Sequence, residues 1–466
     1  MNLVHDRRAT GEGWEAHVGQ EGEAGDTSGS WWSRRTAGLD GRFWKLWGAV
    51  ASSNLGDGLA SLAFPWLASL LTRDALAISG VALATRLPWL VFSLQAGALG
   101  DRVDRRRLMV GANTVRAVVA GGAALAVAGD VMTLPLLYLA AFVLGMCEVL
   151  FDNTSQALLP AIVPRARLER ANGNIMGAQM VIADFLSRPV AGALIGVGLS
   201  LPFAIDAVTA AVSAALVAMI PGRYGRAPDA APAAEVAPTG QVPAAPTPRV
   251  SMRTQIGEGL RWLWDHRLLR TLAFALATLN GLGAATMATI VLFAQEILEL
   301  GSVGFGLLLV AGGVGGLAGS VLGPTLAARI GSGPAMLTTM VVPIVTGLII
   351  ATTSSAWVVA ACMVAQSFTA IVWNVVTVSL RQTMIPDAIL GRVNSVYRFF
   401  GWGVMPLGTL LGGGLVSVVE QQVSRDIGLR APFAAAAVIH VVLVAVAGRR
   451  LTTAAVEEAK AAAPER

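Results

Sequence analysis

The sequence predicts an all-α membrane protein, twelve transmembrane helices in two six-helix bundles. Three observations predict it. The 466-residue chain is 55% hydrophobic and only 14% charged, whereas a soluble domain carries about 25% charged residues. Its mean hydropathy is +0.64. Twelve apolar stretches are each long enough to cross a bilayer, and a sequence repeat relates the first six to the last six. Too few charges exist to cover a water-facing surface, which excludes an ordinary soluble enzyme, a disordered chain and a nucleic-acid binder. The net charge of +5 is small, so where the basic residues sit matters more than their sum. Two cysteines, Cys147 and Cys362, both in apolar runs, exclude a disulfide scaffold or a cysteine zinc site.

Each element follows in order. Residues 1–42 are polar and glycine-rich and predict a disordered cytoplasmic N-terminus without a cleavable signal, so the first span directs insertion. A helix needs ~20 apolar residues to cross a ~30 Å hydrocarbon core. Spans are expected at 45–71, 76–99, 108–128, 132–151, 174–198 and 202–220, within a first bundle of residues 43–221. Residues 222–258 form an Ala/Pro-rich cytoplasmic linker that cannot pack. Further spans are expected at 269–295, 304–328, 334–353, 356–379, 395–418 and 432–448, within a second bundle of 259–449, followed by a tail of 450–466.

Arginines set the orientation. One set of loops carries Arg102, Arg105, Arg106, Arg107, Arg165, Arg167 and Arg170, the linker arginines, Arg329, Arg392, Arg449 and Arg450. The other set carries Arg73, Arg425 and Arg430. The bias places both termini in the cytoplasm and the protein in the cytoplasmic (inner) membrane. After span four, Pro164 to Asn172 reads P-x-x-x-L-x-R-x-N, and after span ten Pro386 to Asn394 reads the same at an offset of 222 residues. A duplicated six-span unit explains matching residues at matching places, and parallel repeats of this kind are a known transporter plan.

The loop after span two, GALGDRVDRRRLM from Gly97 to Met109, resembles the signature loop of the major facilitator superfamily. Gly97, Leu99, Asp101, Arg102, Arg105 and Arg106 match, and Asp104 stands where the family has glycine. With NLGDGL in span one and LPAIVPRARLERANG after span four, the chain resembles the twelve-span efflux branch that includes siderophore and macrolide exporters. The resemblance implies alternating access by two rocking bundles. It implies that Asp101 and Arg102 latch the cytoplasmic side in the outward-open state, with Arg116 as a candidate partner. Arg106 and Arg107 are expected to anchor at anionic headgroups. In span five, Arg188, Pro189 and Gly192 are similar to the G-P-x-x-G-G antiporter motif, with Arg188 in place of its first glycine.

Ionisable residues at membrane depth are functional candidates by default. Asp57 falls near the middle of span one, with Asn54 on its face, and Arg86 near the middle of span two. Glu148 and Asp152 lie four apart near the inner end of span four, where Asp152 is expected to be a solvated cap. Asp184 and Arg188 are spaced to neutralise each other in span five. Asp206 and Glu296 are expected to be wet near the outer face. Asp57 and Glu148 lack a partner on their own helices, and Arg86 is available to either. A buried carboxylate without a partner favours its neutral form, which is what a proton-coupled carrier needs. In the second half, Asn280, Gln366, Asn374 and His440 are the polar interior, and Trp373, Met287 and Phe293 are candidates for a greasy cavity wall. Gly312–Gly319 reads as close helix packing. No metal cluster, cofactor motif, nucleophile–base set or nucleotide loop is visible.

The expectation is a monomeric secondary transporter whose partners are a small-molecule substrate, protons and the lipid bilayer. Its expected work is proton-driven export of a hydrophobic or amphipathic drug, antibiotic or siderophore. Alternatives are an importer or lipid flippase of the same fold, or a polytopic membrane enzyme or sensor.

Overall fold

The computed structural model describes residues 39–224, 252–454 and 458. The expected disordered N-terminus, most of the linker and most of the tail lie outside the described residues. Among the described residues the regular structure is helical, with no strand. The first half comprises α1 (Gly41–Leu71), α2 (Ala75–Arg102), α3 (Arg105–Ala128), α4 (Leu134–Ile162), α5 and α6 (Leu201–Ala218). α5 is one continuous run: Leu168–Gln179, a π-helical stretch Met180–Leu186, then Ser187–Val197. A short amphipathic helix, α7 (Met252–Asp265), precedes the second half. There follow α8 (Arg267–Glu296), α9 (Ser302–Ile330), α10 (Ser332–Thr352), α11 (Ala356–Met384), α12 and α13 (Arg425–Ala447). α12 is broken at Val404 into Asp387–Gly403 and Met405–Gln422.

Eleven of the described helical stretches are long and apolar enough to cross a membrane. α1 is the twelfth. Its 31 residues reach further than any bilayer needs, and Asn54, Asp57 and its glycines dilute its apolar character. Its start is fixed by Asp40, whose carboxylate accepts from the amides of Arg42 and Phe43, both at 3.1 Å.

Several boundaries differ from expectation, each for a local reason. α3 starts at Arg105 because Asp104 caps it, accepting from the Arg107 amide at 3.0 Å. Asp104 also accepts from the Tyr224 amide at 2.7 Å and so ties this loop to the chain leaving α6. The residue that departs from the family glycine therefore has a structural task. α4 continues to Ile162, eleven residues past the expected end. Glu148 and Asp152 consequently sit inside the helix, and Asp152 is not a solvated cap. The linker does not run unbroken to residue 258, since α7 begins at Met252. Its Gly259 lies so close to the Arg392 carbonyl that an added Cβ would stand 2.8 Å from that oxygen.

Packing repeats in the two halves. In the first, α2 lies on α4 and α3 on α6; in the second, α9 lies on α11 and α10 on α13. Between halves, α2 meets α12 and α5 meets α9. The second helix of each half thus meets the fifth helix of the other, which is the arrangement a duplicated unit produces about a twofold axis. Glycines permit both meetings. A Cβ on Gly413 of α12 would lie 2.7 Å from the Ala75 carbonyl, and one on Gly192 of α5 would lie 2.5 Å from the Ser302 carbonyl.

One buried cluster, including Phe64, Trp66, Ile78, Ile290, Phe293 and Phe305, draws on both halves. Trp66 and Phe305 meet across it with ring centroids 5.8 Å apart. It lies toward the arginine-poor end of the bundle. A second cluster, with Leu263, Met336, Trp373, Tyr397 and Leu451, belongs to the second half alone, at the arginine-rich end.

Candidate functional site: a charged cavity between the halves

A cavity of about 730 Å³ lies between the halves. Its two walls differ chemically. α1 to α6 contribute every formal charge found in the lining: Asp57, Arg86, Arg116, Glu148, Asp152, Arg188 and Asp206. The second half contributes apolar groups such as Phe305, Met287, Met363 and Trp373, with Asn280, Gln366, Asn374, His440 and several Ser/Thr hydroxyls as its polar spots.

The charged wall is organised around Arg116. Its Nε and Nη2 donate to Asp206 Oδ1 at 2.9 and 2.6 Å. Its Nη1 lies 2.5 Å from Asp57 Oδ1 and donates to Ser53 Oγ at 3.2 Å. One guanidinium therefore joins α1, α3 and α6. A second polar link runs beside it, from Asn113 Nδ2 to Ser213 Oγ and on to the Ala49 carbonyl, both at 2.7 Å. The two carboxylates differ in access: the Asp206 side chain is wholly buried, while that of Asp57 is 24% exposed. The trio carries one uncompensated negative charge, and Asp57 is where the cavity can reach it.

Asp57, without a partner on its own helix, takes Arg116 of α3. One expectation is corrected: Asp206 is not wet; it is the buried counter-ion of Arg116. Gly56 explains how α1 comes so near, because a Cβ there would collide with Asp206 Oδ1 and lie 2.8 Å from both Arg116 Nη2 and Thr209 Oγ1. Gly58, in the same NLGDGL segment, packs on Ser187 of α5. Asn54 turns its amide back to the Val50 carbonyl at 2.8 Å and lines the cavity.

Glu148 and Asp152, half-buried and one turn apart on α4, face the same cavity with no ion pair among the described residues. Arg86 is exposed to the cavity and makes no ion pair with either. Arg188 donates to the Leu309 carbonyl of α9 at 3.1 Å, so the residue in place of the motif glycine reaches across the half boundary. Pro189 and Gly192 continue that contact, where Ser302 Oγ donates to the Gly192 carbonyl at 2.8 Å. Asp184, Gly97, Asp101 and Arg102 have side-chain positions outside the described residues, and their expected roles lie there too. Of the signature loop, Arg105 donates to the Ala157 carbonyl at 3.0 Å, and Arg106 donates to the Ala218 carbonyl.

On the apolar side, Trp373 and Met287 line the cavity, whereas Phe293 is in the core against Phe433, with centroids 4.9 Å apart. Asn280 donates to the Gly401 carbonyl and Gln366 to Thr346, both at 2.8 Å. His440 is buried, with Nδ1 2.6 Å from the Ala436 carbonyl.

The cavity is shut at the arginine-poor end by a charged clasp that sequence reasoning missed. Arg425 holds Glu296 with two parallel bonds, at 2.9 and 3.0 Å, and Glu420 with one at 2.6 Å. Its Nη2 also donates to the Arg73 carbonyl of the first half at 2.9 Å. Arg73 itself donates to Gln295 at 2.8 Å and lies 3.5 Å from Glu296. Ser417 to Asp74 at 3.2 Å and Gln295 to Ser69 at 2.8 Å complete the seam. Two of the three arginines on this side thus fasten the halves together; their rarity there was the available signal.

The family model described as Major Facilitator Superfamily matches residues 46–409. The chain is 27% identical to the multidrug efflux pump Tap of Mycobacterium tuberculosis over 409 residues, covering 84% of this chain and 88% of that protein. It is 27% identical to macrolide efflux protein A of Streptococcus pyogenes over 182 residues, 38% of this chain; there it spans only 44% of the relative's length. Among solved structures, the nucleoside transporter NupG is similar with a TM-score of 0.65 at 14% identity, covering 88% of this chain and 99% of that one. A bacterial homologue of ferroportin in an inward-facing state is similar with a TM-score of 0.64 at 16% identity, with the same coverages. At such identities the solved structures show the fold alone.

Proposed function

The chain belongs to the major facilitator superfamily of transporters, and we propose that within it the protein exports hydrophobic or amphipathic small molecules in exchange for protons. The names of the relatives support export of drugs. The charged trio supports the proton: all three members border the cavity, and of the two carboxylates that share Arg116 the Asp206 side chain is wholly buried while that of Asp57 is 24% exposed. This single observation carries the reading.

The arginine-rich end is the cytoplasmic one by the positive-inside rule. The clasp then closes the outer side, and the cavity belongs to the inward-facing state. A proton delivered to Asp57 neutralises the surplus charge of the trio, loosening its hold on Arg116 while Asp206 keeps the guanidinium in place. Because Asp57 is on α1 and Arg116 on α3, this changes the tie between two cavity-lining helices of one bundle. Proton release to the cytoplasm restores the ion pair and completes the cycle. Substrate lies against the apolar second half, whose lining carries no formal charge. Asp101 and Arg102 serve as the cytoplasmic latch of the opposite, outward-open state, and the protein works as a monomer.

The test is efflux from a pump-deficient host with and without an uncoupler, for the wild type and Asp57→Asn. The reading expects uncoupler-sensitive efflux that Asp57→Asn abolishes while substrate still binds the purified variant. Unchanged substrate-induced proton release by Asp57→Asn would remove Asp57 from this role and leave Glu148 as the carrier.

A further inference from the structure

α7 and the start of α8 form a feature that the transport cycle above does not use. α7 packs through Gly259 and Leu263 onto the second half and leaves Leu260 and Trp264, four residues apart, outward at 39% and 47% exposure. Trp264 stands edge-on to Phe274 of α8, itself 48% exposed, with centroids 5.8 Å apart. Behind them Leu263, Trp264, Arg270, Ala273, Phe274 and Phe400 close around a small dimple with no room for a water molecule, so what the face offers a ligand is its exposed surface. Its polar rim is cationic. Arg270 donates to the Trp264 carbonyl at 3.1 Å and lies over the Trp264 ring. Arg261 and Arg267 are exposed and make no ion pair among the described residues; Asp265 is the acidic residue between them, and Glu258 is already held by Arg392 at 2.5 Å.

We propose that this exposed face binds one anionic phospholipid, its phosphate at Arg261, Arg267 and Arg270 and its acyl chain along Trp264 and Phe274. Position and charge select this occupant. The face sits at the arginine-rich end of membrane-spanning helices, the level of the headgroups, where an exposed tryptophan is most stable. An apolar face with Arg270 against it, and with the exposed Arg261 and Arg267 three residues to either side of Trp264 in the chain, matches an anionic amphiphile and disfavours a neutral one. The placement also gives the lipid a lever. The face joins α8 to the first segment of α12 through Phe400, and the next residue, Gly401, accepts the hydrogen bond of the cavity residue Asn280. A lipid here braces two helices next to the break at Val404.

The experiment is native mass spectrometry of the full chain, delipidated and titrated with phosphatidylglycerol or phosphatidylcholine. The wild type retains one phosphatidylglycerol more tightly than any phosphatidylcholine. Each basic residue near a membrane surface contributes ~1 kcal/mol, about fivefold in affinity. The double variant Arg261→Gln/Arg267→Gln, which breaks no side-chain bond among the described residues, loses roughly 25-fold for phosphatidylglycerol and nothing for phosphatidylcholine. Trp264→Ala weakens both lipids. Equal retention of the two lipids by the wild type, or unchanged phosphatidylglycerol binding by the double variant, overturns the proposal. So does a doubled mass lost on Trp264→Ala, which would assign the face to a second copy of the chain.

Discussion

Neutralising Glu296 should open the outer side. Glu296 receives Arg425 through two bonds at 2.9 and 3.0 Å, and both side chains are about one-quarter exposed, at 25% and 27%. A partly exposed, bidentate pair contributes about 1 kcal/mol. The contact with Arg73, 58% exposed at 3.5 Å, adds little after solvent screening. Glu296→Gln also weakens the grip that keeps Arg425 on the Arg73 carbonyl, the bond that crosses between the halves. The sum is about 1–1.5 kcal/mol, or roughly a tenfold shift from the closed toward the open outer side. The assay is the rate at which a maleimide labels Ser79→Cys in a background without Cys147 and Cys362. Ser79 is fully buried beside Gly413, beneath the clasp, and does not line the cavity. Labelling should rise about tenfold in Glu296→Gln, a ratio that narrows as salt screens the wild-type clasp and raises the wild-type rate, and should stay at the wild-type rate in Arg430→Gln. Arg430 is on the same side, but its bonds go to Asp426, Ala351, Thr353 and Ser354, all within the second half. Equal labelling of Glu296→Gln and Arg430→Gln would refute the clasp and leave the apolar seam around Trp66 and Phe305 as the sole closure.

Two further outcomes separate structural from coupling roles in the trio. Asp206→Ala removes two charged hydrogen bonds from Arg116 at a wholly buried position and leaves Asp57 as its remaining carboxylate, so it should cost about 1.5–3 kcal/mol, seen as a lowered midpoint of thermal unfolding in detergent, whereas Asp57→Ala, at a cavity-facing side chain, should lower it less; the reverse order would mean that Asp57 holds the bundle together. Gly56→Ala should cost about 1–3 kcal/mol through overpacking, since its Cβ meets Arg116 and Thr209 at 2.8 Å, while Gly111→Ala, with nothing within 4 Å, should be neutral or stabilising; equal midpoints for the two would show that α1 has room to move from α3.

The spans, their pairing into halves and Asp57 were legible because each has a signal along the chain: apolar length, a repeated P-x-x-x-L-x-R-x-N, an acid in an apolar run. The trio was not, because its members are on three helices and no periodicity links Asp57 to Arg116 or Asp206. Asp206 shows how depth misleads. It is five residues inside α6 from one end, which reads as close to water, yet twelve from Ala218 at the other. Arg116 is eleven residues from its own arginine-rich start at Arg105. Measured from that common end, at 1.5 Å per residue, both lie at ~16–18 Å. Two opposite charges at one depth, in adjacent helices that are otherwise apolar, have few stable choices but each other. Pairing by depth from a shared face would have found Arg116–Asp206, and it would have left the α1 carboxylate as the surplus one. That surplus is the feature a proton carrier requires, and it appears only when the helices are counted together.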